Sequence, residues 1–162
     1  TFSIASPTAS TPSLSAMKFR YKRYRAPDGT PSSRPIIPIL IRNPRDTGGH
    51  ALGYEALVDS GADYCVFSGE LAALLNIDIE TGERQLAGGV VAGETRPIYF
   101  HPIEIEVEPF MAGKRLMIWA GFMPDLTHAG HGVLGRQGFF SGLSFVKFRD
   151  HADELELGKV RR

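Results

Sequence analysis

Six consecutive residues, Ile103-Glu104-Ile105-Glu106-Val107-Glu108, alternate strictly between aliphatic and acidic side chains. Only the two-residue period of a β-strand places three aliphatics on one face and three glutamates on the other, so a strand is expected here with one face in a core and one in water. Short apolar runs of the same kind recur at Ile36 to Arg42, Tyr54 to Val58, Tyr64 to Phe67, Arg84 to Leu86, Arg96 to Phe100, Arg115 to Ala120 and Leu143 to Phe148, separated by Gly, Pro, Asn and Asp. Repeated short strands punctuated in this way describe an all-β barrel or sandwich. Helical pattern is confined to Glu70 to Asn76, with Ser68 placed to cap it, and to a turn at Gln137 to Ser141.

The 162 residues suffice for one hydrophobic core. Residues 1 to 16 are dominated by Ser, Thr, Pro and Ala and are expected to be a disordered leader or an appended remnant, leaving 17 to 162 as a single domain. Lys18 to Arg25 interleaves five cations with Phe19, Tyr21 and Tyr24, and is expected to be one strand with a solvated basic face in preference to a platform for bases. Eighteen basic and eighteen acidic side chains cancel, so no nucleic acid is expected as a partner. No run approaches the roughly 18 apolar residues of a membrane span. The single cysteine, Cys65, sits in an apolar run as a small hydrophobe and rules out an internal disulfide; a reducing, cytoplasmic setting fits.

Ala56-Leu57-Val58-Asp59-Ser60-Gly61-Ala62-Asp63 sets a carboxylate directly after an apolar strand and before a small-residue turn. Alone, Asp-Ser-Gly is an ordinary turn. Far along the chain, Val133-Leu134-Gly135-Arg136 forms a second apolar stub ending in glycine. Between them Gln85 to Thr95 is strand-like at both ends and glycine-rich at its tip, the pattern of a mobile β-hairpin.

The two motifs, in this order and separated by that hairpin, resemble the retropepsin-like aspartic peptidases over about residues 36 to 150. The resemblance implies a closed acid-protease-like barrel with one or two short helices. It also implies a catalytic acid at Asp59, with Ser60, Gly61, Ala62 and Asp63 supporting the active-site floor. Val133, Leu134 and Gly135 would pack against that turn, Arg136 would brace Asp63 through a bidentate ion pair, and Ser60 would hydrogen-bond across to a partner's turn. Ala87, Gly88, Gly89, Val90, Val91, Ala92 and Gly93 would form the flap over an extended peptide. Only one Asp-Ser-Gly is present. The resemblance therefore implies a homodimer with peptide or protein substrates and no cofactor. The tail beyond Gly135, with Phe139, Phe140, Phe145, Phe148, Leu155 and Leu157, is longer than in retroviral members.

Other chemistries fare worse. Gly88 to Thr95 has phosphate-loop spacing, but Glu94 stands where the lysine is needed and would repel phosphate. His101, His128 and His131 are not accompanied by a cysteine or acid cluster at ligand spacing, so no metal site is expected. No Gly-x-Ser-x-Gly elbow is present. The competing class is a non-catalytic dimeric peptide-binding module on the same barrel, in which Asp59 merely ends a strand.

Overall fold

In a computed structural model, the residues described are 16–88, 93–108, 111, 113–126 and 131–162. The elements in chain order are β1 (Ala16–Arg20), β2 (Lys22–Arg25), β3 (Pro31–Arg34), β4 (Ile36–Arg42), β5 (Leu52–Val58), β6 (Val66–Ser68), α1 (Gly69–Leu74), β7 (Glu83–Gly88), β8 (Thr95–Glu106), β9 (Leu116–Met123), β10 (Gly132–Leu134), α2 (Phe139–Gly142), β11 (Val146–Arg149) and β12 (Glu154–Gly158). Six strands run in the order β4-β5-β10-β6-β9-β8, and pairing of β8 back onto β4 closes the barrel. Strand β7 lies on the outer edge of β8 and makes the hairpin.

The alternating segment enters β8 as far as Glu106, and Ile103, Ile105 and Val107 are fully buried as the pattern requires. Two of the expected runs, Arg96 to Phe100 and Ile103 to Glu108, merge into this one strand of 12 residues. Pro102, which suggested a break, is tolerated for a reason visible in the pairing. Strand β7 pairs with β8 only up to Phe100 and β4 only from Glu104, so Pro102 has a neighbour on one side alone and its missing N–H costs no ladder bond. Glu106 departs from the expected solvated face: it is buried, its carboxylate held by Arg42 Nη1 at 3.0 Å and by the Gly113 N–H at 2.9 Å.

Phe67, Phe122 and Phe139 sit without exposure at the centre of the core, each worth about 1.5–3 kcal/mol of burial. Helix α1 starts where expected, the Ser68 Oγ accepting from the Leu71 N–H at 3.3 Å.

The chain ends build two further sheets, β1-β12-β11 and β2-β3. Leu155, Leu157, Met17, Phe19, Val146 and Phe148 turn the inner face of the three-stranded sheet into the barrel core. The expected single strand from Lys18 to Arg25 is divided at Tyr21. That residue is buried, donates its N–H to the Asp153 carbonyl at 2.8 Å and its hydroxyl to Asp150 Oδ1 at 2.6 Å, and so turns the chain from one sheet into the other. Strands β3 and β12 were not legible as strands. The expected leader lies outside the described residues except for Ala16, which already belongs to β1.

Candidate active site

Strand β10 runs parallel to β5, Leu134 opposite Val58, so the distant second motif arrives beside the end of the strand that carries Asp59. Three backbone bonds tie the two segments, and a fourth closes the Asp59 turn on itself. The Asp59 N–H donates to the Leu134 carbonyl at 3.1 Å, and the Ala62 N–H closes the turn onto the Asp59 carbonyl at 3.3 Å. The Arg136 and Gln137 N–H groups then donate to the Ala62 and Asp63 carbonyls at 2.9 and 2.8 Å. Gly135 is obligatory at the crossing. A Cβ there would overlap the Tyr64 carbonyl and lie 2.8 Å from the Ala62 carbonyl oxygen, both of them backbone atoms that cannot swing away.

Asp59 is half-buried at the mouth of this arrangement. Its Oδ1 accepts the Gly61 N–H at 2.8 Å, which orients the carboxylate. Its other oxygen makes no hydrogen bond among the described residues and is available to a reacting group. Ser60 and Gly61 are exposed beside it and Ala62 is half-buried. Val133 is half-buried, whereas Leu134 and Gly135 are buried beneath the turn.

Asp63 and Arg136 are both exposed and line one cavity of about 480 Å³ with Gln137, Phe140 and Ser141. They do not form the expected ion pair: no Asp63–Arg136 contact within 4 Å joins them. The bracing between these segments is done by backbone, and both charges face the open cavity.

The hairpin arms pair in register from Glu83 opposite Phe100 to Gly88 opposite Thr95. Ala87 and Gly88 are in its first arm and Gly93, at φ +91°, lies in the turn where a left-handed conformation is wanted. Gly89, Val90, Val91 and Ala92 lie outside the described residues.

Tyr64 is the residue that sequence reasoning missed, having been read only as the start of a strand. Its ring stands edge-on to Phe100 at 5.2 Å and is partly exposed, so it links the Asp59 turn to the base of the hairpin. A tyrosine following an acid turn carries no pattern that announces this.

Cys65 lies beneath the turn without exposure, and burial pushes its thiol up to about 11, which leaves it protonated and unsuited to nucleophilic attack. His101 is committed through Nε2 to the Ile79 carbonyl at 2.9 Å, and His131 Nδ1 is 3.1 Å from the Gly132 carbonyl oxygen. His128 lies outside the described residues. No helix among the described residues is long and apolar enough to cross a membrane.

The architecture is similar to that of a solved structure. A retropepsin-like aspartic protease from Rickettsia conorii matches over 88% of this chain and 90% of its own length, with a TM-score of 0.55 at 16% identity. The EIAV protease complexed with the inhibitor HBY-793 matches over 64% of this chain and 82% of its own, with a TM-score of 0.42 at 22% identity. No protein-family model and no curated protein matches the chain. The first of these likenesses establishes that the chain has a retropepsin-like fold.

Proposed function

We propose that this chain is an aspartic endopeptidase, active as a two-fold homodimer in which Asp59 of each copy supplies half of a catalytic pair. The observation that carries the reading is the Asp59 carboxylate itself. It is held by the Gly61 N–H on a turn that Leu134, Gly135 and Arg136 lock from below, with one oxygen left unengaged. A lone carboxylate of this kind orients water poorly. Two of them at close range cannot both ionise cheaply, so they share one proton, and the pair acts as base toward a water and as acid toward the substrate carbonyl. The attacking oxygen comes from that water, its proton passes to the pair, and a proton returns to the departing amine.

In this reading Ser60 ties one turn to its partner across the two-fold axis, and Gly61 and Ala62 keep the floor thin enough for close approach. Asp63 and Arg136 meet the substrate backbone and its flanks. The hairpin from Ala87 to Gly93 closes over an extended peptide and excludes bulk water. A cytoplasmic, reducing setting suits the single buried thiol.

The test is cleavage of a peptide library by the purified protein beside Asp59→Asn. Asparagine keeps an oxygen for the Gly61 N–H, so the variant should fold with wild-type stability and lose turnover by at least ~10³-fold. Cleavage by the variant at the wild-type rate would refute the assignment, and a wild type that binds peptides without cleaving them would favour a peptide-binding module.

A further inference from the structure

A cavity of about 380 Å³ lies at the root of the hairpin and shares no residue with the Asp59 turn or with the cavity at Asp63 and Arg136. One wall is the connection from β4 to β5, at Asn43, Arg45 and Asp46, and another is the segment after α1, at Asn76 and Asp78. Side chains lace these two walls together. Asn43 Nδ2 donates to the Leu75 carbonyl at 3.0 Å while its Oδ1 accepts the Arg45 N–H at 3.0 Å, and Asn76 Nδ2 donates to Asp46 Oδ2 at 2.9 Å. The hairpin's two roots supply the rest: Thr81, in the single 3₁₀ turn that leads into β7, and His101, on β8. These roots are joined, since Glu83 at the start of β7 pairs with Phe100.

His101 continues the inward row of Ile103 and Ile105 along β8, and it is the one fully buried residue that lines this cavity, at 3% exposure. Its ring stands edge-on to Phe122 at 5.9 Å, and Nε2 must carry the proton that the Ile79 carbonyl accepts at 2.9 Å. In the neutral ring Nδ1 is then a bare acceptor. It makes no hydrogen bond among the described residues, which leaves it to an occupant of the cavity. The charged side chains are likewise unspent. Arg45 and Asp78 are exposed, and neither makes an ion pair or side-chain hydrogen bond to another described residue; Asp46 keeps Oδ1 free.

Two carboxylates, one guanidinium and one bare nitrogen suit neither a simple anion, which the carboxylates repel, nor a lone metal ion. Among the described residues no three His, Cys, Asp or Glu side chains are assembled that could hold one. They suit a small molecule that carries a carboxylate and more than one ammonium group. The volume equals about a dozen waters at roughly 30 Å³ each, enough for one amino acid and too little for a folded segment.

We propose that this cavity binds a free amino acid, best one with a basic side chain, its carboxylate answered by Arg45 and its ammonium groups by Asp46, Asp78 and His101 Nδ1. An occupant joins the two laced walls to both roots of the hairpin and so restrains the hairpin against the barrel. The inference stands independently of the Asp59 reading.

Titration of L-lysine into the isotope-labelled full chain, followed by amide NMR, tests it. Residues 43–46 and 76–81 should show saturable shifts. Nα-acetyl-L-lysine, without the α-ammonium, and L-lysine amide, without the carboxylate, should each bind on the order of fivefold more weakly, the worth of about one charge pair at a partly open site. Arg45→Gln and Asp78→Asn alter exposed side chains and should keep the wild-type circular dichroism while losing the same factor. Arg45→Gln should in addition cease to distinguish L-lysine from its amide. Amide exchange along β7 and its β8 partners should slow when L-lysine is bound. Absence of saturable shifts, or binding that both variants leave unchanged, overturns the site. So does equal binding of L-lysine and its amide to the wild type, which would reduce it to an acidic surface. Binding without slower exchange overturns the restraint on the hairpin.

Discussion

Gly135→Ala should destabilise the fold strongly, because its Cβ would run into main-chain atoms that have no side-chain rotation to escape by. The added carbon would overlap the Tyr64 carbonyl and sit 2.8 Å from the Ala62 oxygen, where ordinary contact needs about 3.4 Å or more. Both are main-chain atoms fixed by pairing, so relief requires the Asp59 turn and the Leu134–Gln137 segment to move apart by more than half an ångström. That displacement stretches the Asp59–Leu134, Arg136–Ala62 and Gln137–Asp63 backbone bonds, now 3.1, 2.9 and 2.8 Å. Losing one or two of them costs about 1 kcal/mol each, and overpacking a rigid site adds about 1–3 kcal/mol. The sum is about 2–5 kcal/mol, or a fall in Tm of roughly 5–15 °C for a chain of this size. Urea and thermal unfolding of the purified variant provide the assay. Gly53→Ala is the control, since nothing lies within 4 Å of the carbon it would add and Gly53 sits in a strand where alanine loses less entropy. Equal stability of Gly135→Ala and Gly53→Ala would show that β10 does not grip the Asp59 turn as described.

Two pH responses follow from the same site. Burial raises the Cys65 thiol from an ordinary 9.0 to about 11; a group raised on folding stabilises fully below its unfolded value and loses that contribution as pH climbs through the folded one. Urea unfolding from about pH 8 to about pH 11 should therefore cost the wild type about 2–3 kcal/mol more than Cys65→Ala, other alkaline titrations cancelling in the comparison, and parallel curves would contradict it. The peptide-cleavage rate should trace a bell on the acid side of neutrality, since the active form carries one proton shared by two carboxyls and disappears when the pair holds two or none. A rate rising monotonically into alkaline pH would point to a different nucleophile.

Most of the barrel was legible because its strands carry their own period. The Ile103 to Val107 alternation and the Asp59 and Gly135 motifs state, within a few residues each, which side chains must be buried and where the chain must turn. Legibility failed where partners outside the segment decide the outcome. The strand from Thr95 to Glu106 continues unbroken through Pro102 only because β7 and β4 leave one edge free there. Glu106 is buried only because Arg42 and Gly113 reach it from other parts of the chain. Likewise Lys18 to Arg25 is split by a Tyr21 hydrogen bond to Asp150, 129 positions away. The absent Asp63–Arg136 ion pair has the same origin, since the backbone bonds that join their segments leave both side chains facing the cavity.

The most direct test of a site shared between two copies is to titrate wild-type protein with Asp59→Asn and follow peptide cleavage after the subunits have exchanged. If each active site needs Asp59 from both copies, random pairing at equal concentrations leaves about half of the wild-type chains in a wild-type dimer, so activity per wild-type chain falls to about half and continues toward zero as the variant is added in excess. Activity per wild-type chain that stays constant across the titration, with exchange verified by mixed dimers of tagged subunits, would contradict the two-aspartate account.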